Sequence, residues 1–226
     1  LEDIGGWPNR SMVDAFVKYS YYVSTRLGDR AKNWITHNEP WCISYLGYIQ
    51  GQFPPGIKNN WPKSLTTAHH LLLSHGMSIN EIRNNSNDSN IGITLNLSPS
   101  TPASKSQYDK EACKFYDGQF NRLYLDPLYK AQYPKDLFDS LIKKKYIKKE
   151  DLNFIKTEDL KVISKKTDFL GINFYSRAII RDNDIPKEKN LPIEVFLEEK
   201  TDFGWEIHPR SLYDLLVRIK NDYTVE

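Results

Sequence analysis

Three short apolar runs, each closing in polar residues and set far apart, constrain this chain more than any other feature. They are Lys32-Asn33-Trp34-Ile35-Thr36-His37, leading into Asn38-Glu39; Asn90-Ile91-Gly92-Ile93-Thr94-Leu95-Asn96-Leu97; and Asp168-Phe169-Leu170-Gly171-Ile172-Asn173-Phe174-Tyr175. Runs of this kind read as strands of a parallel sheet covered by helices, because burial on both faces removes the polar alternation of a half-exposed strand. From Asn33 to Ile91 is 58 positions and from Ile91 to Asp168 is 77, room for a helix and a loop in each crossover. The polar strand ends mark the sheet edge where β/α folds place their chemistry.

Helical periodicity fills the intervals. Val13, Phe16, Val17, Ser20, Val23 and Leu27 share one face of a helix with Ser11 as its N-cap and Gly28 as its stop. Leu65, Ala68, Leu72, Ile79 and Ile82 place a second helix over about Ser64 to Arg83. Further helices are expected from Gln107 to Leu125, broken by Asp126-Pro127, then over Pro134–Lys144, Glu150–Ser164 and Pro209–Asn221, with a polar loop from Ser176 to Thr201.

The chain has 226 residues, with 31 basic against 29 acidic residues for a net charge of +2. That balance gives no concentrated cationic face for nucleic acid or an anionic membrane. Mean hydropathy is −0.60, and no apolar run approaches the roughly 18 residues of a spanning helix. Cys42 and Cys113 form no ligand or disulfide pattern and read as packing residues of a cytoplasmic protein. Because the chain begins at Leu1 rather than Met, the native start is expected to lie upstream. The aromatic share of 13% suits a well-filled core or a sugar site, since a ring face stacks on a pyranose.

Glu39 is the sharpest candidate for chemistry. It ends an apolar strand between Asn38 and Pro40, with Trp34 and Trp41 nearby. Partial desolvation there favours the neutral, proton-donating form that glycoside cleavage requires of its acid. The plainer alternative is a solvated glutamate after a strand, which is the commoner case.

The segment Thr36-His37-Asn38-Glu39-Pro40-Trp41 matches a T-x-N-E-P-W signature, and other segments follow in register: Gly5-Gly6-Trp7, Arg26-Leu27-Gly28-Asp29-Arg30, Ala68-His69-His70-Leu71, Gly92-Ile93-Thr94-Leu95-Asn96, Asp168 to Tyr175 and Asp202-Phe203-Gly204-Trp205-Glu206. Together they resemble family 1 glycoside hydrolases, the retaining β-glucosidases, over essentially the whole chain. The resemblance implies a partial (β/α)8 TIM barrel, one incomplete domain spanning 1–226 and holding about strands 4–6 with flanking helices, while strands 1–2 and 7–8 are missing. It implies Glu39 as general acid/base, Asn38 on the 2-hydroxyl of the sugar, and Asn173 and Tyr175 as substrate-site residues, the Tyr on the nucleophile and the Asn near the catalytic pair. The family's nucleophile sits in an I/V-T-E-N-G motif that this sequence lacks; Glu226 precedes its expected place, and Glu206 falls in a structural context. The chain is therefore expected to be a fragment that is inactive alone. Its expected partner is a small-molecule β-glucoside or oligosaccharide, without cofactor, nucleic acid or membrane.

Two alternatives stay open: a 6-phospho-β-glucosidase of the same family, disfavoured by the retained Pro40-Trp41, and a non-catalytic barrel that binds carbohydrate or protein. His69, His70 and His75 have a spacing that suits no metal and read as packing or surface residues; Tyr19, Tyr21 and Tyr22 read as exterior packing; Lys143-Lys144-Lys145 and Lys148-Lys149 read as solvated positive charge.

Overall fold

Helix α1 (Ser11–Leu27) begins at the residue expected to cap it: Arg10 holds the cap position, and Asn9 Oδ1 accepts from the Ser11 N–H at 3.1 Å. A computed structural model describes residues 2–182, 192–196, 199–223 and 225. Gly28 ends α1 as expected, its N–H donating to Ser24. Strand β1 (Asn33–Asn38) follows, and a π-helix (Cys42–Gln50), which no periodicity announced, leads away from it.

Helix α2 (Trp61–Asn85) starts three residues earlier than its apolar spacing indicated. Asn60 accepts from the Lys63 N–H, and Pro62 sits in the first turn, where a missing N–H costs nothing. This helix is the spine of the core. Leu65, Leu71, Leu72 and Leu73 are sealed from solvent, each contributing about 1.5–3 kcal/mol of burial. His69, His70 and His75 are buried with them, so the surface alternative for these histidines is wrong.

Strands β2 (Asn90–Asn96) and β4 (Phe169–Asn173) complete the expected set, in the parallel order β1-β2-β4. The register pairs Asn33 with Asn90 and Asn96 with Asn173. Ile93 and Leu95 join Leu170 and Ile172 in the helix-facing core. By strand alternation Thr94, Asn96, Gly171 and Asn173 occupy the other face. The strands approach closely there: a Cβ on Gly171 would overlap the Thr94 side chain. Central β2 is buried, while β1 and β4 are the two edges among the described residues.

Between β2 and β4 lie β3 (Ser100–Pro102), α3 (Gln107–Asp117), a π-turn (Gly118–Arg122), α4 (Leu123–Lys130), α5 (Lys135–Lys143) and α6 (Thr157–Ile163). Asp126-Pro127 does not break the chain's helical path. Pro127 lies inside α4, where the burial of Leu123, Leu125 and Leu128 outweighs one lost backbone bond. The helix expected over Glu150–Ser164 divides into a 3-10 turn (Lys149–Leu152) and α6.

Strand β5 (Ala178–Ile180) pairs in parallel with β3, within the stretch read as loop. Helix α7 (Pro209–Asp222) closes the described structure. Tyr19, Tyr21 and Tyr22 remain about half exposed on α1 rather than packed. Glu226 lies outside the described residues.

Candidate active site

At the C-terminal end of β1 the backbone turns sharply. Glu39 has φ 51°, a left-handed conformation that costs a side-chain-bearing residue about 1–2 kcal/mol. Its N–H nevertheless donates to the Thr94 carbonyl at 2.8 Å, tying the peptide to β2, and its carbonyl accepts from the Cys42 N–H at 2.9 Å. A strained residue fixed on both sides is a common device for aiming a functional group.

The carboxylate meets three donors. Asn173 Nδ2 donates to Oε1 at 2.7 Å and the Tyr175 hydroxyl to the same oxygen at 3.2 Å. The Cys42 thiol donates to Oε2 at 3.1 Å. Asn173 uses its second amide hydrogen on Asn38 Oδ1 at 3.0 Å. Asn173 and Tyr175, two residues apart, project from one face of the β4 strand end. The four residues singled out in the sequence thus form one cluster at the joined ends of β1 and β4.

Within these residues the Tyr175 hydroxyl is engaged by Glu39. Partial burial, and then the adjacent Glu39 charge, raise the Tyr175 phenol above its usual range. Burial likewise pushes the Cys42 thiol up to about 12, reinforced by its bond to Glu39. Both groups therefore stay protonated near neutral pH and act as donors. No Lys or Arg pairs with Glu39 among the described residues. The Glu39 side chain is thus half-buried, supplied with donors and without a neutralising cation among the described residues.

Sequence reasoning missed two contributors. Cys42, read as packing, stands three residues after Glu39, a spacing that brings side chains together once the chain enters a helix. Trp205 packs on Tyr175 with ring centroids 4.9 Å apart, and both line a cavity of about 200 Å3 with Asn96 and Phe120. Only its place beside Glu206 in the sequence had drawn notice.

Glu206 itself is buried, and its carboxylate is held by Arg177 through two bonds of 2.7 and 2.8 Å. His69 bonds Tyr133 and Asp159, and Asp159 also takes both terminal nitrogens of Arg10. Among the described residues no group of three or more His, Cys, Asp or Glu is arranged to hold a metal ion. No helix among them is long and apolar enough to cross a membrane.

The family model for "Glycosyl hydrolase family 1" matches residues 1–226. The chain belongs to this family. It is 43% identical over 225 residues to Beta-glucosidase A of Acetivibrio thermocellus, covering 99% of this chain and 49% of that protein. It is 35% identical over 234 residues to 6-phospho-beta-glucosidase GmuD of Bacillus subtilis, covering 99% of the chain and 49% of the relative. The crystal structure of a beta-glucosidase from Exiguobacterium marinum superimposes with a TM-score of 0.88 at 38% identity, over 98% of this chain and 50% of that one. The chain thus spans about half the length of the relatives it matches. The expected partial (β/α)8 barrel is the fold observed, and the three-stranded arc is part of a family 1 barrel wall.

Proposed function

We propose that this family 1 chain carries the acid/base half of a retaining β-glucosidase site, with Glu39 protonating the glycosidic oxygen and later deprotonating water. The observation that carries this reading is the convergence on Glu39 of Asn173 and Tyr175, from a strand 134 and 136 residues further along the chain. Cleavage with retention needs a second carboxylate about 5–5.5 Å away, on the opposite side of the reacting carbon. Glu206 does not supply it, being held by Arg177. The nucleophile therefore comes from polypeptide outside these 226 residues, and this piece alone does not turn over. Asn38, exposed beside Glu39 and oriented by Asn173, hydrogen-bonds the 2-hydroxyl of the sugar. No cofactor is needed, since two carboxylates and water complete the reaction.

The test is a chimaera in which this chain replaces the matching half of Beta-glucosidase A. It should hydrolyse aryl β-glucosides, and Glu39→Gln should slow substrates with poor leaving groups far more than those with good ones. Equal slowing of both classes would remove Glu39 from the acid role. A second reading has support in the likeness to the Bacillus subtilis 6-phospho-beta-glucosidase. The same chimaera separates the two, because a phosphoglucosidase half would favour the 6-phosphorylated glucoside over the free one.

A further inference from the structure

Strand β1 carries one residue more than β2 over the same span. Ile35 pairs with Gly92 and Asn38 with Thr94, so an advance of three residues on β1 matches two on β2. The extra residue makes a β-bulge at Thr36-His37, and a bulge reverses the facing of every side chain after it. Trp34 packs on Ile79, Ile82 and Ile91 in the helix layer, while Ile35 lies exposed on the opposite face. In a regular strand Thr36 would follow Trp34 towards the helices, His37 would join Ile35, and Asn38 would turn back to the helices. The bulge instead sets Asn38 level with Thr94, on the face that carries Asn173.

Two adjacent side chains hold the bulge to α2. Thr36 Oγ1 is 2.7 Å from His75 Nδ1, and His37 Nε2 is 2.8 Å from Ser74 Oγ. Consecutive residues of a regular strand point to opposite faces and could not both reach one helix. His37 also stacks on Phe16 of α1 at 4.1 Å and 23°. The Thr36 hydroxyl donates to the Gly92 carbonyl at 3.4 Å, and with its one proton placed there it accepts from His75. One chain of bonds therefore runs from α2 through β1 to β2 beside the point where the register shifts.

His75 is fully buried, and its other ring nitrogen, Nε2, has no partner among the described residues. An unpartnered polar atom at that depth costs about 1–3 kcal/mol. Leu71, Leu72 and Leu73 fill the same stretch of α2, and a further apolar side chain would avoid the cost. The bond to Thr36 is what the imidazole adds over such a side chain.

We infer that His75 is a positioning residue for Glu39, acting through Thr36 to hold the extra residue of β1 in the helix layer and so to keep Asn38 and Glu39 on the site face. Glu39 follows the bulge directly, and its N–H bond to the Thr94 carbonyl at 2.8 Å is set by the shifted register. The kinetic consequence rests on Glu39 being the acid, whereas the geometric one does not.

Two readouts test this: the Asn173 side-chain amide signals in nitrogen–proton NMR spectra of the 226-residue chain, and the kinetics of the chimaera with Beta-glucosidase A. Thr36→Val keeps the shape of the side chain and removes its hydroxyl. It should move both Asn173 amide signals and lower kcat on poor leaving groups about 10- to 100-fold, the cost of misplacing a reacting group by about 1 Å, with KM little changed. Thr36→Ser should restore both. His75→Leu should match Thr36→Val, and the double variant should be no worse than either, as for the two ends of one bond. Ser78→Ala removes the 3.0 Å bond from α2 to Ser20 of α1 and should lower the urea midpoint without moving the Asn173 signals or kcat. Unchanged Asn173 signals in Thr36→Val, or effects of Thr36→Val and His75→Leu that simply add, would overturn the proposal. Moved Asn173 signals together with equal slowing of good and poor leaving groups would remove the acid role from Glu39 and leave the positioning in place.

Discussion

Asn173 Nδ2 lies 2.7 Å from Glu39 Oε1 and 3.0 Å from Asn38 Oδ1, so a single amide orients two neighbouring side chains from across the sheet. The arrangement depends on register. Asn96 of β2 pairs with Asn173, and the Leu97 N–H donates to the Asn173 carbonyl at 3.1 Å, which fixes the height of β4 against β1. A slip of one residue would turn Asn173 to the helix face. Asn173→Ala should therefore lower kcat/KM of the chimaera by about 10²–10³, the cost of one oriented donor at a reacting group, with little loss of stability because the site is part-exposed. Paired kinetics and urea unfolding check both halves of that statement.

The Cys42 thiol gives a measurement that needs no turnover. Its value of about 12 means that thiolate is scarce at pH 8. Iodoacetamide should then modify Cys42 about 10³-fold more slowly than a free cysteine, as followed by peptide mass. Glu39→Gln removes the neighbouring charge and should speed the modification, though burial, the larger cause, remains. Modification at the rate of a free thiol would show that Cys42 does not face Glu39 in solution.

The three strands, their parallel arrangement and the four residues at their ends were legible because each run is apolar and stops at a polar residue. The signal is local. What escaped the sequence depends on tertiary context. Strands β3 and β5 are three residues each and too short to show alternation. Pro127 reads as a break in any linear scan, and only the buried leucines around it keep α4 whole. The π-helix after Trp41 has no periodic signature, and with it went the contact of Cys42 with Glu39. The histidines of α2 were ambiguous for a related reason: nothing in their spacing states that Thr36, Tyr133 and Asp159 come to meet this buried layer, or that His37 of β1 joins it through Ser74.

That layer sets the acid limit of stability. Burial depresses His37 and His75 to about 3, and His69 to about 4. The unfolded chain binds these protons near pH 6.5, so between about 6.5 and 4 it holds more protons than the native state. Stability is full above pH 6.5 and falls with acidification, by up to about 1.4 kcal/mol per pH unit for each histidine. Urea midpoints at pH 7.5 and pH 5 should differ accordingly. His75→Gln, which keeps a polar group beside Thr36 but does not titrate, should flatten the slope between them. An unchanged slope would mean that His75 is protonated in the folded chain.

The Arg177–Glu206 pair tests whether Glu206 serves structure rather than chemistry. Its side chains are 11% and 1% exposed, and the two bonds of 2.7 and 2.8 Å bring them into parallel contact. Removing one partner leaves a buried charge without its counter-ion, at a cost of about 3–5 kcal/mol. Arg177→Ala and Glu206→Gln should each lower the urea midpoint, and the double variant should cost well below the sum, since neither orphan charge is left behind. In the chimaera, Glu206→Gln should keep the leaving-group dependence of the parent, whereas Glu39→Gln changes it. A Glu206 variant that folded normally but reproduced the Glu39→Gln pattern would transfer the proton-donating role from Glu39 to Glu206.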